Sequence, residues 1–332
     1  MEAPQDGRVE TAPCGQVPAP VAIAQLLRAW NLPPPTDVRQ PERGTNNVVR
    51  IIHVDGSAYV LRIHQNASAT QVAAERRLLT ALTDARLSFE VPISMLTTDG
   101  QPTVVTPDGL ASLTPWIPGD HPPRDRHGLQ LAGSALGELD AALAELPADL
   151  APIDWSSRPL SAIHPHVPNL DALATELGQA LPTEPSARWF AERAPEIEAE
   201  IARWYAVLPR QIIHGDYALG NVLMNDGRVT GVLDFEIAGI DMRLTDLVAA
   251  LTQSTDDLAS DQVSAFQRGY ETHVQLSDAE RHSLPTLIRY RTLGSIVWRA
   301  GRWRAGHATL DEVADRLRDG MSIDSMADRI GR

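Results

Sequence analysis

The chain contains no lysine: all 29 basic residues among its 332 are arginine. Any cation that must hold a phosphate here is therefore a guanidinium, which keeps its charge and can bind two oxygens at once. Cysteine is almost as scarce. Cys14 stands alone, which excludes an internal disulfide and suits a reducing, cytoplasmic setting. No apolar run approaches the ~20 residues of a membrane span. Residues 1 to about 18 are rich in proline, glycine and polar side chains, and they predict a flexible tail rather than a secretory signal. Basic charge is outnumbered too: the formal net charge is −14. That argues against nucleic acid as a partner, because phosphate backbones are bound by basic patches.

What the chain does contain is concentrated between Ile212 and Leu251. An apolar segment leads into His214-Gly215-Asp216, and Asn221 follows five residues after the aspartate. Two apolar runs, Val222-Leu223-Met224 and Val229 to Leu233, flank Asn225-Asp226-Gly227-Arg228. An Asp-Gly between such runs predicts a β-hairpin. The hairpin then carries Asn221 at its start and Asp234 at its end, both at its open end beside Asp216. Phosphoryl transfer from ATP needs Mg²⁺ on the phosphates and a carboxylate to orient the attacking hydroxyl and take its proton. Mg²⁺ takes oxygen ligands and is commonly held by one or two carboxylates plus phosphate oxygens. Asp216 fits the base, and Asn221 and Asp234 fit the metal ligands.

The pattern HGDxxxxN, an apolar strand and Asp234-Phe235 resembles the aminoglycoside phosphotransferase family, which also includes homoserine-kinase-like enzymes. The resemblance implies an α+β, bilobal protein-kinase-like fold with a small β-rich N-lobe and a larger helical C-lobe. His214-Gly215-Asp216 stands where protein kinases carry His-Arg-Asp, and Asp234-Phe235-Glu236 where they carry Asp-Phe-Gly. Gly215 removes the arginine that reads an activation-loop phosphate, which argues against a phosphorylation-switched protein kinase. Asp246, in TDLVAAL, resembles the family's helix-start aspartate, which ties the catalytic loop to that helix.

Under the same resemblance, residues 1–35 are a tail and helix, 36–116 a nucleotide-binding lobe and 117–332 the catalytic and substrate lobe. Gly44, Thr45, Asn46 and Asn47 form the loop over the ATP phosphates. Arg62, in VLR, replaces the phosphate-binding lysine. Glu75, midway along a helix over 68–82, supports Arg62, although Arg76 and Arg77 are rivals for it. Trp116 and Ile117 mark the hinge beside the adenine ring. Strands are expected at 89–96, 102–106 and 110–116. Relatives often end the helix over 129–146 with Leu-His, where this chain has Leu139-Asp140. Arg291, Trp298, Arg299 and Trp303 are candidates to line a substrate pocket, with core packing as the alternative. His164 and His166 read as loop residues.

The expected activity is Mg²⁺- and ATP-dependent phosphorylation of a small-molecule hydroxyl, in a monomer or homodimer. A homoserine-like or amino-alcohol acceptor is favoured. The alternatives are an aminoglycoside-type antibiotic acceptor and an ATP-binding pseudokinase.

Overall fold

A computed structural model describes residues 20–41, 47–65, 67–155, 158–254 and 260–330. The chain divides into two compact units. The smaller comprises residues up to Arg76 with Pro92–Trp116, and the larger Arg77–Val91 with everything from Ile117 onward.

The smaller unit is built on a five-stranded antiparallel sheet. Its strands are β1 (Asp37–Arg39), β2 (Val48–Val54), β3 (Ser57–His64), β4 (Val104–Thr106) and β5 (Gly109–Pro115), in the order β1-β2-β3-β5-β4. The β2–β3 hairpin turns at Asp55-Gly56, whose φ values of 48° and 80° suit a two-residue turn of the type I′ class. Strand alternation sends Leu61 and Ile63 into a core with Ile23, Leu27, Trp30, Ile52 and Leu113. Helix α1 (Pro20–Leu27) contributes Ile23 and Leu27 to that core. Helix α2 (Ala69–Leu82) begins in this unit, and Ser68 and Gln71 exchange hydrogen bonds across its start as a capping pair.

The strand expected over 89–96 does not form. Glu90 makes one isolated bridge, to Gly231 within the larger unit. Pro92 has no N–H to offer a ladder. The N–H groups of Met95 and Thr97 go to Leu113 and Gln101 singly, so the segment is an extended loop.

The larger unit is mostly helical. Helices α3 (Arg126–Ala144), α4 (Leu170–Ala180), α5 (Pro185–Tyr205), α6 (Leu244–Ser254), α7 (Ser260–Tyr270), α8 (Asp278–Arg304) and α9 (Leu310–Ile330) supply most of it. Leu173, Leu177, Phe190, Ile197, Leu293 and Leu317 meet in one buried cluster. Two small sheets complete the unit. One joins β6 (Ile153–Asp154), β10 (Gly239–Met242) and β7 (Arg210–Ile213). The other is the hairpin β8 (Val222–Asn225) and β9 (Arg228–Val232). Asp226 and Gly227 form that hairpin's turn with φ of 49° and 71°. Strand β7 ends at Ile213, where the His214-Gly215-Asp216 segment begins, and the hairpin follows that segment from Val222.

Candidate active site

The segment after β7 is fixed from behind by hydrogen bonds that its own sequence supplies. Asp246, in the first turn of α6, accepts the N–H of His214 at 2.6 Å and of Gly215 at 2.7 Å. A carboxylate at a helix N-terminus is also favoured by the helix dipole. The His214 ring lies inside the protein and works at both nitrogens. Nε2 donates to the Leu233 carbonyl at 2.8 Å, and Nδ1 accepts the Asp216 N–H at 3.2 Å. Phe235 packs on the same ring with centroids 4.4 Å apart. Gly215 has φ of 85°, and a Cβ there would meet the Ile237 carbonyl at 2.8 Å, so glycine is required by both the conformation and the close approach. Tyr217 is buried and donates from its hydroxyl to the Ala132 carbonyl of α3 at 2.8 Å.

A second buried carboxyl stands behind Asp246. Asp140, on α3, accepts the Tyr270 hydroxyl at 2.8 Å, while its Oδ1 meets no protein donor. Burial, and then the charge of Asp246, push the Asp140 carboxyl well above the ordinary carboxylate range, and it hydrogen-bonds to Asp246. Asp246 is raised as well, chiefly by burial, against the opposing pull of His214 and the two backbone donors. Like charges this close cannot both ionise cheaply. Asp140 therefore holds the proton, and Asp246 stays the acceptor that the two N–H groups demand.

In front of the loop the side chains are more open. Asp216 is 39% exposed, and its Oδ1 lies 3.2 Å from Nη2 of Arg291, a residue of α8. Arg291 Nη1 also donates to the Gly215 carbonyl at 3.3 Å. Asn221 closes a short 3-10 turn, and its Nδ2 donates to the Asp216 carbonyl at 2.9 Å. Its carbonyl accepts the Leu233 N–H at 2.8 Å. Leu233 is thus held by His214 on one side and Asn221 on the other. The next residue, Asp234, is half-buried and takes φ of 70°. The structure therefore brings His214, Asp216, Asn221 and Asp234 together around one residue of backbone.

The donor set can be tested for a metal. Bonding of Asn221 Nδ2 to Asp216 orients the amide and leaves Oδ1 as an unspent acceptor, with the Asp234 carboxylate following its backbone partner Leu233. One amide oxygen and one carboxylate suit a hard divalent cation that completes its shell with phosphate oxygens and water. No cluster of three or more His, Cys, Asp or Glu that could hold a metal occurs among the described residues.

In the smaller unit, Arg62 sits between Leu61 and Ile63 on β3 and so points away from the core they enter. Asn47 accepts the Gln65 N–H at 3.3 Å. Glu75 lies on α2 next to Arg76, whose Nε donates to the Ser94 carbonyl at 2.9 Å. Gly44, Thr45 and Asn46 lie outside the described residues. Trp116 is partly exposed, and its N–H is spent on the Ala58 carbonyl at 3.0 Å. A hinge donor for a nucleotide base cannot come from that N–H. Ile117, in the larger unit, is buried, and its side chain lies where a Cβ on Gly231 of β9 would collide.

A sequence profile described as the phosphotransferase enzyme family matches residues 37–284, well over half of the chain. The chain belongs to this family. It is 25% identical over 288 residues to a homoserine kinase of Granulibacter bethesdensis, covering 85% of this chain and 86% of that one. It is 27% identical over 224 residues to a homoserine kinase of Acidiphilium cryptum, covering 66% of each. Among solved structures, the fold is similar to amicoumacin kinase in complex with AMP-PNP, Ca²⁺ and its ligand (TM-score 0.70, 16% identity, 92% of each chain). It is also similar to a microcompartment-associated aminopropanol kinase (TM-score 0.66, 18% identity, 93% of this chain and 96% of that one). The fold is the α+β, protein-kinase-like one. No helix among the described residues is long and apolar enough to cross a membrane.

Two pairings in this phosphotransferase's site, Asp140 with Asp246 and Arg291 with Asp216, escape sequence reasoning. Asp140 and Asp246 are far apart in sequence, and only the departure from Leu-His at 139–140 points to the first. Arg291 is one of several arginines on a long helix, and nothing local ties it to Asp216.

Proposed function

We propose that the protein is an ATP- and Mg²⁺-dependent kinase that phosphorylates the hydroxyl of a homoserine-like or amino-alcohol metabolite. The observation that carries this reading is Asp216: a partly exposed carboxylate on a loop whose backbone is fixed by His214, Asp246 and Asn221. Such a carboxylate accepts the acceptor's hydroxyl hydrogen and holds the oxygen in line with the γ-phosphorus. The oxygen–phosphorus bond to the acceptor forms as the bond from the γ-phosphorus to the bridging oxygen breaks. ADP leaves, and the hydroxyl proton passes to Asp216. Asn221 Oδ1 and the Asp234 carboxylate would hold the divalent ion, which supplies charge neutralisation on the phosphates when bound. Arg62, supported by Glu75, takes the role that a lysine plays in other kinases. Asn47 and the three residues before it would contact the phosphates, with Trp116 and Ile117 near the base. Residues 36–116 would be the nucleotide lobe, and residues 117–332 would carry catalysis and acceptor binding. Names of the relatives support an acceptor of this class.

The test is ADP release with Mg-ATP across homoserine, choline, ethanolamine, 3-amino-1-propanol, methylthioribose and several aminoglycosides, with Asp216→Ala as control. A rise with homoserine or an amino alcohol, lost in the variant, is expected. A rise confined to an aminoglycoside would replace the metabolite with an antibiotic acceptor. ATP binding without turnover on any acceptor would refute the catalytic reading in favour of a pseudokinase.

A further inference from the structure

Arg291 and Arg243 both meet acids in the larger unit, but they meet them differently. Arg243 places Nη2 and Nε at 2.6 and 3.0 Å from one oxygen of Glu280, which is 1% exposed and also forms the capping box of α8 with Ser277. That is a closed structural ion pair. Arg291 is 29% exposed, and its contacts with Asp216 and the Gly215 carbonyl are 3.2 and 3.3 Å. Charge-assisted bonds settle at about 2.7–2.9 Å when geometry allows. Among the described residues, its Nε meets no hydrogen-bond acceptor. Asp241, a second acid in its electrostatic reach, is buried in β10 and already occupied by the Met242 N–H and by Tyr205. Arg291 is therefore a loosely held cation with unspent donors, beside the carboxylate to which an acceptor hydroxyl must come.

We propose that Arg291 binds a carboxylate on the phosphate acceptor, so that the site takes a short hydroxy acid rather than a plain amino alcohol. The inference rests on the reading of Asp216 as the residue that orients the acceptor hydroxyl. A hydroxyl within about 2.7 Å of Asp216 leaves an anion three or four bonds further along the same molecule, roughly 4–5 Å away, within reach of the guanidinium. Binding then has a second consequence. A guanidinium on Asp216 occupies Oδ1, an oxygen that the hydroxyl hydrogen needs. When Arg291 moves to the substrate's carboxylate, Asp216 is returned to the hydroxyl. An acceptor without the anion leaves the pair closed, so selectivity falls on the rate of transfer as well as on binding.

The experiment uses the matched pair homoserine and 3-amino-1-propanol, which differ by the carboxylate, with the full-length wild type, Arg291→Gln and Arg291→Lys. Wild type is expected to prefer homoserine in kcat/KM. Arg291→Gln should lose that preference, with kcat/KM for homoserine down about tenfold to a hundredfold, as for a hydrogen bond to a charged group. Its activity on 3-amino-1-propanol should hold or rise. Arg291→Lys, which keeps the charge without the paired donors, should fall between. Thermal melting of each variant separates these effects from misfolding. Equal losses on both acceptors, or a rise in KM for ATP alone, would overturn the proposal and make Arg291 a positioning residue for Asp216 or a nucleotide contact. A wild type that prefers 3-amino-1-propanol would overturn it too. A wild type idle on every acceptor would instead remove the phosphotransfer reading beneath it.

Discussion

Behind His214–Asp216 the contacts are short and dry: 2.6 and 2.7 Å to Asp246, 2.8 Å from Tyr217 to α3, and 2.8 Å from Tyr270 to Asp140. In front of the same residues they are longer and wetter, with Arg291 at 3.2 Å from a carboxylate that is 39% exposed. The difference teaches how one loop can be held rigidly on one face and left open on the other. Every backbone donor at the rear has a partner, so the geometry is set before any ligand arrives. At the front, Asn221 Oδ1 and Arg291 Nε have no hydrogen-bond partner among the described residues.

This contrast can be broken from either side. Replacing the front carboxylate, Asp216→Ala, should lower kcat by about a hundredfold to ten-thousandfold, the usual contribution of a positioned base. The melting temperature and ATP affinity should stay close to wild type in calorimetry. A large drop in melting temperature would mean that Asp216 belongs with the rear.

Replacing the rear carboxylate, Asp246→Ala, should do the opposite first. It orphans two buried N–H groups, at a cost on the order of 1–3 kcal/mol each, and chemical denaturation should show a loss of about 4 kcal/mol. Activity lost without any loss of stability would sink the division. A milder cut at the rear, Tyr217→Phe, removes one buried hydrogen bond and should cost about 1 kcal/mol, with the acceptor preference unchanged.

The finest test is titration. Asp241 is pushed up to about 7, mainly by burial. A carboxyl whose folded pKa is raised favours the fold below its ordinary value near 4 and loses that contribution as pH rises toward 7. Asp241→Asn removes the titration, so its melting temperature should gain on wild type progressively between pH 4 and 7. A constant difference across that range would show that Asp241 does not titrate there.

Much of this arrangement is legible in the sequence because it is local. The Asp226-Gly227 turn needs two positive φ values, which these residue types accept readily, and it fixes where Asn221 and Asp234 fall along the chain. The helix-start position of Asp246 is legible for the same reason. The extended loop over 89–96 was harder. Its apolar residues suit a strand, but Pro92 and separate backbone partners outweigh composition. Arg291 could be read only as a candidate pocket residue, and neither its pairing with Asp216 nor the place of Asp140 could be read at all. Their partners lie 75 and 130 residues away, and only the packing of α3, α7 and α8 determines which of many similar side chains arrives.

The lysine-free composition and the β8–β9 hairpin together offer a spectroscopic handle. Arg228 is exposed just past the tight turn, and Asn221 and Asp234 lie at the hairpin's opposite end. Arg228→Lys would place the chain's sole side-chain amine there, some 13–20 Å from the open end at the rise of a strand. An amine-reactive fluorophore would then have a single side chain to label, with the terminal α-amine as the other site, to be blocked first at near-neutral pH. It would lie close enough to sense a paramagnetic ion bound by Asn221 and Asp234, yet far enough away to leave their ligand field undisturbed.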